Sequence, residues 1–185
     1  AQLSREKEAL LQAVSVDHRT GLANTAAFDA DHAQLHSRFE RSGDPYCLLL
    51  IDVDNFHAFN HRYHYLAGNR VLKRIAAALA DTIRSSDRVY RWGGEEFAVL
   101  LSGTRLDAAA VAAERARAAI EQLGIEHAGN PPGVVTVTVG VAEPAVGESG
   151  ADLFEHVSAL LVEGKDRGRN RIVLPPAGTP GDGAG

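Results

Sequence analysis

Arg88-Val89-Tyr90-Arg91-Trp92-Gly93-Gly94-Glu95-Glu96-Phe97-Ala98-Val99-Leu100-Leu101 holds two short stretches that read as strands, 88–92 and 97–101, around a four-residue tip. Glycine lets a backbone turn tightly and leaves room for a ligand, so the segment reads as a β-hairpin with its tip at Gly93-Gly94-Glu95-Glu96. A hairpin makes part of its sheet antiparallel. Upstream, Tyr46–Val53 is a near-continuous apolar run flanked by Asp52 and Asp54, and it reads as a central strand covered on both faces. Apolar periodicity predicts helices from Thr25, taken as N-cap, to about Arg41, then briefly from Phe56, and over Ala67–Arg84, Asp107–Leu123 and Asp152–Glu163. Further strands are expected over Val134–Ala142 and Arg171–Leu174. The result is an α/β domain with a mixed, largely antiparallel sheet flanked by helices.

The ends read differently. Residues 3–14 have helical spacing and could be the end of a connecting helix or a helix packed on the domain. Pro175–Gly185 is rich in Pro and Gly and is expected to be a disordered tail. Methionine is absent even at position 1, so the chain is expected to be a segment of a longer protein with an input domain upstream.

Composition narrows the function. The 185 residues are 45% hydrophobic and 23% charged, with a net charge of −5. Such a balance argues against a nucleic-acid partner, which needs a broad cationic face. No apolar run approaches the ~20 residues of a membrane span. The polar first residues are not those of a signal peptide. Cys47, the single cysteine, sits in an apolar strand and reads as a core residue in a reduced, cytoplasmic setting.

Chemistry concentrates in the carboxylates. If the strands carrying Asp52, Asp54, Glu95 and Glu96 are neighbours, these anions converge, and a hard divalent cation that also binds phosphates would offset their repulsion. The alternative is solvated acids at strand ends. Asn55-Phe56-His57 follows at the start of a short helix, where free N–H groups can hold phosphate. Lys165–Arg171 is the one basic cluster; it could equally be a cationic helix C-terminus. His57, His61 and His64 at i, i+4 and i+7 could share a helix face, a spacing open to a transition metal, though surface or cleft histidines are the plainer expectation.

These motifs together resemble the GGDEF family of diguanylate cyclases over residues 17–174. Arg91-Trp92-Gly93-Gly94-Glu95-Glu96-Phe97 is similar to the family's signature in its Glu variant. Asp17 with Thr20-Gly21-Leu22-Ala23-Asn24, Asp52-Val53-Asp54-Asn55-Phe56, Val135–Ala142, and Lys165 with Gly168-Arg169-Asn170 resemble its remaining landmarks in order and spacing. The resemblance implies a fold like the palm of polymerases and nucleotide cyclases. It implies a cytoplasmic bacterial enzyme that condenses two GTP into cyclic di-GMP as a homodimer. Asp52, Glu95, Glu96 and the Val53 carbonyl would hold two Mg²⁺ or Mn²⁺ ions per active site, with Glu95 as proton acceptor. Phe56 and His57 would cradle phosphates, Lys165 and Arg169 would clamp the triphosphate, and Asn60 and Asn69 would read guanine. Arg84 and Asp87, joined by Arg115, would form a product-binding inhibitory site; a charged helix end with a local ion pair is the alternative.

Departures temper this. Arg19, His57, His61, Tyr65 and Asn69 differ from the family's preferred residues. His57 stands where the family carries a permanent cation, so slow turnover is expected. An amide at 69 accepts with one oxygen and donates with its NH₂, which weakens selection of guanine. Two other outcomes stay open: a regulatory module that binds GTP or cyclic di-GMP without turnover, and a cyclase that also makes cyclic GMP-AMP.

Overall fold

The structure, a computed structural model, describes residues 15–177. The expected helix over 3–14 and residues 178–185 of the expected tail lie outside the described residues. In chain order the elements are α1 (Thr25–Ser42), β1 (Tyr46–Val53), α2 (Phe56–Tyr63), α3 (Tyr65–Thr82), β2 (Arg88–Arg91), β3 (Glu96–Ser102), α4 (Leu106–Glu121), β4 (Val137–Ala142), α5 (Gly150–Asp166) and β5 (Ile172–Val173). The strands form one sheet in the order β2-β3-β1-β4-β5. All pairings are antiparallel except β4 with β5. This is the mixed, largely antiparallel sheet read from the hairpin.

Strand β1 is apolar at nearly every position because both of its faces are covered. Side chains alternate across a strand. Cys47, Leu49, Ile51 and Val53 join one core with Phe56, Ile75, Leu79 and Ala113 of α2, α3 and α4. Tyr46, Leu48 and Leu50 join a second with Phe28 of α1 and Leu153 and Val157 of α5. The same alternation carries Asp52 to the α1/α5 face at the strand's C-terminal end. Cys47 is buried, its thiol donates to the Thr104 carbonyl at 3.3 Å, and burial pushes that thiol up to about 12. It is a core residue, protonated and inert.

Several boundaries differ from the sequence reading. Asn24, not Thr25, caps α1: its side chain accepts from the Ala27 N–H at 3.1 Å. The Thr25 hydroxyl donates instead to the Trp92 carbonyl, tying α1 to the hairpin. Helix α3 runs 65–82 rather than 67–84, because Ile83 is already extended, so Arg84 lies in the turn before β2. Regular pairing in β4 starts at Val137; Val134 makes only an isolated bridge to Glu126. His57 and His61 lie on α2, but His64 has φ 70° and ends that helix, so the three histidines do not share a face. No described helix is long and apolar enough to cross a membrane.

Candidate functional site

The register of β1 and β3 builds the site. Asp52 and Glu96 are direct cross-strand partners, and the Val53 N–H donates to the Glu95 carbonyl at 3.1 Å. Directly opposed residues share a face, and like charges there repel. Burial raises the Asp52 carboxyl above the ordinary carboxylate range, opposed by Lys165 and reinforced by Asp54. Glu96 is likewise raised, first by burial and then by Asp52 and Glu95. Among the described residues, the cation bonded directly to this pair is Lys165, in the last turn of α5. Its ammonium donates to Asp52 at 2.7 Å and lies 3.4 Å from Asp54. The lysine expected to clamp a triphosphate thus sits on the carboxylate expected to bind metal.

Asp54 is a different kind of residue from Asp52. The sequence placed both in one converging cluster. In the structure Asp54 is fully buried. It accepts from the hydroxyls of Thr138 (2.6 Å) and Thr136 (2.7 Å) and from the Asn170 N–H (3.0 Å). It anchors the closing segment of the chain to the sheet, and it shares the Lys165 ammonium with Asp52.

The hairpin tip is held by Arg91, a residue not singled out beforehand. Its guanidinium donates to the carbonyls of Gly93 and Gly94 and lies 3.6 Å from Asp17. Asp17 is held below the usual carboxylate range: burial pushes it up, but the Thr20 hydroxyl and N–H and Arg91 outweigh that. Neither Gly93 nor Gly94 needs a positive φ. At 93 the constraint is space, since a Cβ there would stand 2.6 Å from the Glu96 carboxylate.

Beyond β1, Asn55 turns the chain in a left-handed conformation, φ 51°, and starts α2. Among the described residues no side chain caps this helix, which leaves its first N–H groups to meet an external acceptor. Phe56 buries its ring against Phe59, while His57 is exposed in the first turn. Asn60, on the same helix, has a buried Oδ1 with no hydrogen-bond partner among the described residues. Its side chain fits only because residue 68 is glycine; a Cβ there would overlap Oδ1. Asn69 follows, partly buried, on α3. Two departures from the family meet here: the Arg19 guanidinium lies over the Tyr65 ring, 5.6 Å from its centroid. Arg169 is exposed at a residue of φ 64°.

Among the described residues, no group of three or more His, Cys, Asp or Glu side chains is placed to hold a metal by itself. That fits a Mg²⁺-type ion, which typically takes one or two carboxylates and completes its shell with water and substrate phosphates. Two crowded carboxylates whose mutual charge works against ionisation are the donor set such an ion would relieve. Far from this site, Arg84, Asp87 and Arg115 line one cavity of about 210 Å³ with Ile83, Leu101 and Val111. Asp87 accepts from the Arg84 N–H at 3.1 Å rather than from its guanidinium, and Arg115 donates to the Thr82 carbonyl.

A helix-flanked, largely antiparallel sheet, with paired acids at the end of its central strand, is the palm-like α/β fold that the sequence resemblance implied. Residues 14–171 match the family model described as "Diguanylate cyclase, GGDEF domain", and the chain belongs to that family. Diguanylate cyclase VdcA of Vibrio cholerae is 34% identical over 177 residues, covering 93% of this chain and 51% of VdcA. Diguanylate cyclase DgcM of Escherichia coli is 37% identical over 169 residues, covering 91% of this chain and 40% of DgcM. The chain thus spans about half or less of these relatives' length. Among solved structures, the coiled coil and GGDEF domain of DgcB from Caulobacter crescentus, in complex with c-di-GMP, superposes with TM-score 0.86 at 27% identity. That match covers 94% of this chain and 92% of the DgcB chain.

Proposed function

We propose that the chain condenses two GTP molecules into cyclic di-GMP and two pyrophosphates, with one GTP held by each of two facing copies. The observation that carries this reading is the direct pairing of Asp52 with Glu96 beside the uncapped start of α2. A triphosphate with its cation needs that combination: carboxylates for the metal and free N–H groups for the phosphates.

Asp52, Glu96, Glu95 and the Val53 carbonyl would hold Mg²⁺ or Mn²⁺, two per site. Bound there, the metal neutralises phosphate charge and lowers the pKa of the attacking hydroxyl. The N–H groups of Phe56 and His57 would receive the β- and γ-phosphates. Lys165 and Arg169 would orient the triphosphate, with Lys165 also balancing Asp52. Asn60 and Asn69 would bond the guanine edge. The 3′-hydroxyl of one GTP then attacks the α-phosphorus of the other, the bond to the β-phosphate breaks, and Glu95 takes the hydroxyl proton. The second attack repeats this and closes the ring. Residues 17–174 would suffice for it, and an input domain on the same polypeptide would set when the two copies meet.

The cavity at Arg84, Asp87 and Arg115 would take the product. An arginine can donate to a guanine edge and a carboxylate can accept its N–H groups. The opened Arg84–Asp87 geometry supports this over a simple ion pair.

Asp52→Asn and Glu96→Gln test the reading. Loss of several kcal/mol of charge stabilisation corresponds to a rate fall of roughly 100-fold or more. Unchanged cyclic di-GMP formation in either folded variant would contradict it.

A further inference from the structure

Behind the turn that starts α2 lies a buried network that the sequence did not mark. The His127 Nε2–H donates to the Asn55 carbonyl at 3.0 Å, and the Asn55 amide donates to Asn130 Oδ1 at 2.8 Å. Asn130 in turn donates to the Val134 carbonyl (2.8 Å) and the Thr136 hydroxyl (3.0 Å). The Thr136 hydroxyl donates to Asp54. One chain of hydrogen bonds therefore runs from the first turn of α2 to the carboxylate that anchors Asn170.

We infer that His127 and Asn130 are positioning residues that keep the first N–H groups of α2 open to phosphate, an inference that rests on the proposed function. Asn55 is the N-cap residue of α2, and asparagine is among the strongest N-capping types. Here its side chain makes no cap, because its amide is drawn back to Asn130. The N–H groups it would otherwise satisfy stay free for a ligand. Its left-handed backbone is uncommon for a residue other than glycine. His127 steadies that conformation by occupying the second lone pair of the Asn55 carbonyl, the first being taken by the Phe59 N–H at 3.1 Å. His127 is also a poor choice for filling space alone. It is fully buried, and its Nδ1 has no hydrogen-bond partner among the described residues. An unpaired buried nitrogen costs folding free energy that an apolar ring would avoid. What the imidazole supplies is the Nε2–H to Asn55, with its ring edge-on to Phe59 at 5.2 Å.

The test compares GTP with GMP, each titrated with Ca²⁺ by calorimetry into the wild-type chain, His127→Phe and His127→Gln. Phenylalanine keeps the ring and removes the donor, while glutamine keeps a donor. GMP has no β- or γ-phosphate, so general loosening of the domain weakens both ligands, whereas a displaced phosphate turn weakens GTP alone. The expected result is a GTP Kd raised about 10-fold in His127→Phe, an unchanged GMP Kd, and GTP binding restored to within about twofold in His127→Gln. Equal weakening of both ligands, no weakening of GTP, or a glutamine variant that behaves like phenylalanine overturns the inference. Should His127→Phe not fold, His127→Leu is read against the same glutamine variant. A wild-type chain that binds GTP but yields no cyclic dinucleotide with Mg²⁺ overturns the proposed function and leaves this inference standing; one that binds no GTP overturns both.

Discussion

Asp52 and Asp54 are two residues apart, share Lys165, and differ in the rest of their surroundings. Asp52 ends a strand next to Glu96 and Lys165, while Asp54 lies buried under two threonine hydroxyls and a backbone N–H. In the sequence the Asp-x-Asp spacing suggested one shared cluster. Asp54, whose N–H still donates to the Thr136 carbonyl, lies deeper than Asp52, and its oxygens are taken by Thr136, Thr138 and the Asn170 N–H. Removing one partner of a buried charged network leaves the rest unpaired, so Asp54→Ala should lose roughly 3 kcal/mol of stability. Denaturant titration reads this directly, and an unchanged midpoint would mean that Asp54 anchors nothing. Asn69 gives a prediction of another kind. A carboxylate in its place accepts two guanine N–H bonds where the amide accepts one. Asn69→Asp should tighten GTP by about 10-fold while leaving ATP weak. Equal affinities for the two nucleotides in both proteins would remove Asn69 from base recognition. His127, Asn130 and Arg91 escaped the sequence reading for a physical reason. His127 and Asn130 reach Asn55 across 72 and 75 residues, and no local periodicity encodes such a contact. Arg91 acts on carbonyls of its own turn, which any residue type would present.

Among the elements, β1 was readable because a strand buried on both faces is apolar at every position except Asp52, near its end. The α1 cap was not, because Asn24 and Thr25 are adjacent and both are good capping residues; backbone geometry alone chooses between them. Helix α1 also carries a titratable feature under the sheet. The Tyr46 hydroxyl lies 3.0 Å from His32 Nε2 and 2.8 Å from His36 Nδ1, so it donates to one ring and accepts from the other. Glu40 stands 3.7 Å from the far nitrogen of His36. Burial, with His36 adding to it, pushes His32 from 6.5 down to about 4. The unfolded chain therefore binds more protons between those values, and this part of the stability is present above pH 6.5 and lost as pH falls toward 4. The gap corresponds to roughly 3 kcal/mol. Thermal unfolding of the wild type and His32→Phe from pH 7 to 4 should show the wild type losing more. Parallel curves would mean that His32 is not the group responsible.

At the scale of the whole molecule, the two proposed ligand sites lie at different ends of the sheet. The acidic site sits where β1 and the hairpin tip meet, and the Arg84–Asp87–Arg115 cavity opens between α4 and the turn before β2. Helix α4 reaches toward both: Arg115 lines the cavity, and Arg117 donates to the Asn170 side chain at 2.6 Å. The Arg-x-x-Asp spacing was legible in the sequence and Arg115 was implied by the family resemblance; the fold brings Arg115 from α4 to the cavity lined by Arg84 and Asp87 in the turn before β2. Arg84→Ala should raise the Kd for cyclic di-GMP about 10-fold or more, as expected when a charged hydrogen bond is removed. Calorimetry with the purified dinucleotide reads it, and an unchanged Kd would assign the cavity to some other ligand. At the other end of the sheet, the paired carboxylates are proposed to serve nucleotide condensation. The most direct test of this role is one incubation of the chain with equal GTP and ATP and Mg²⁺, resolved by chromatography. The expected result is slowly accumulating cyclic di-GMP with pyrophosphate, at two pyrophosphates per ring, abolished in Asp52→Asn. Tight nucleotide binding with no cyclic dinucleotide would contradict it.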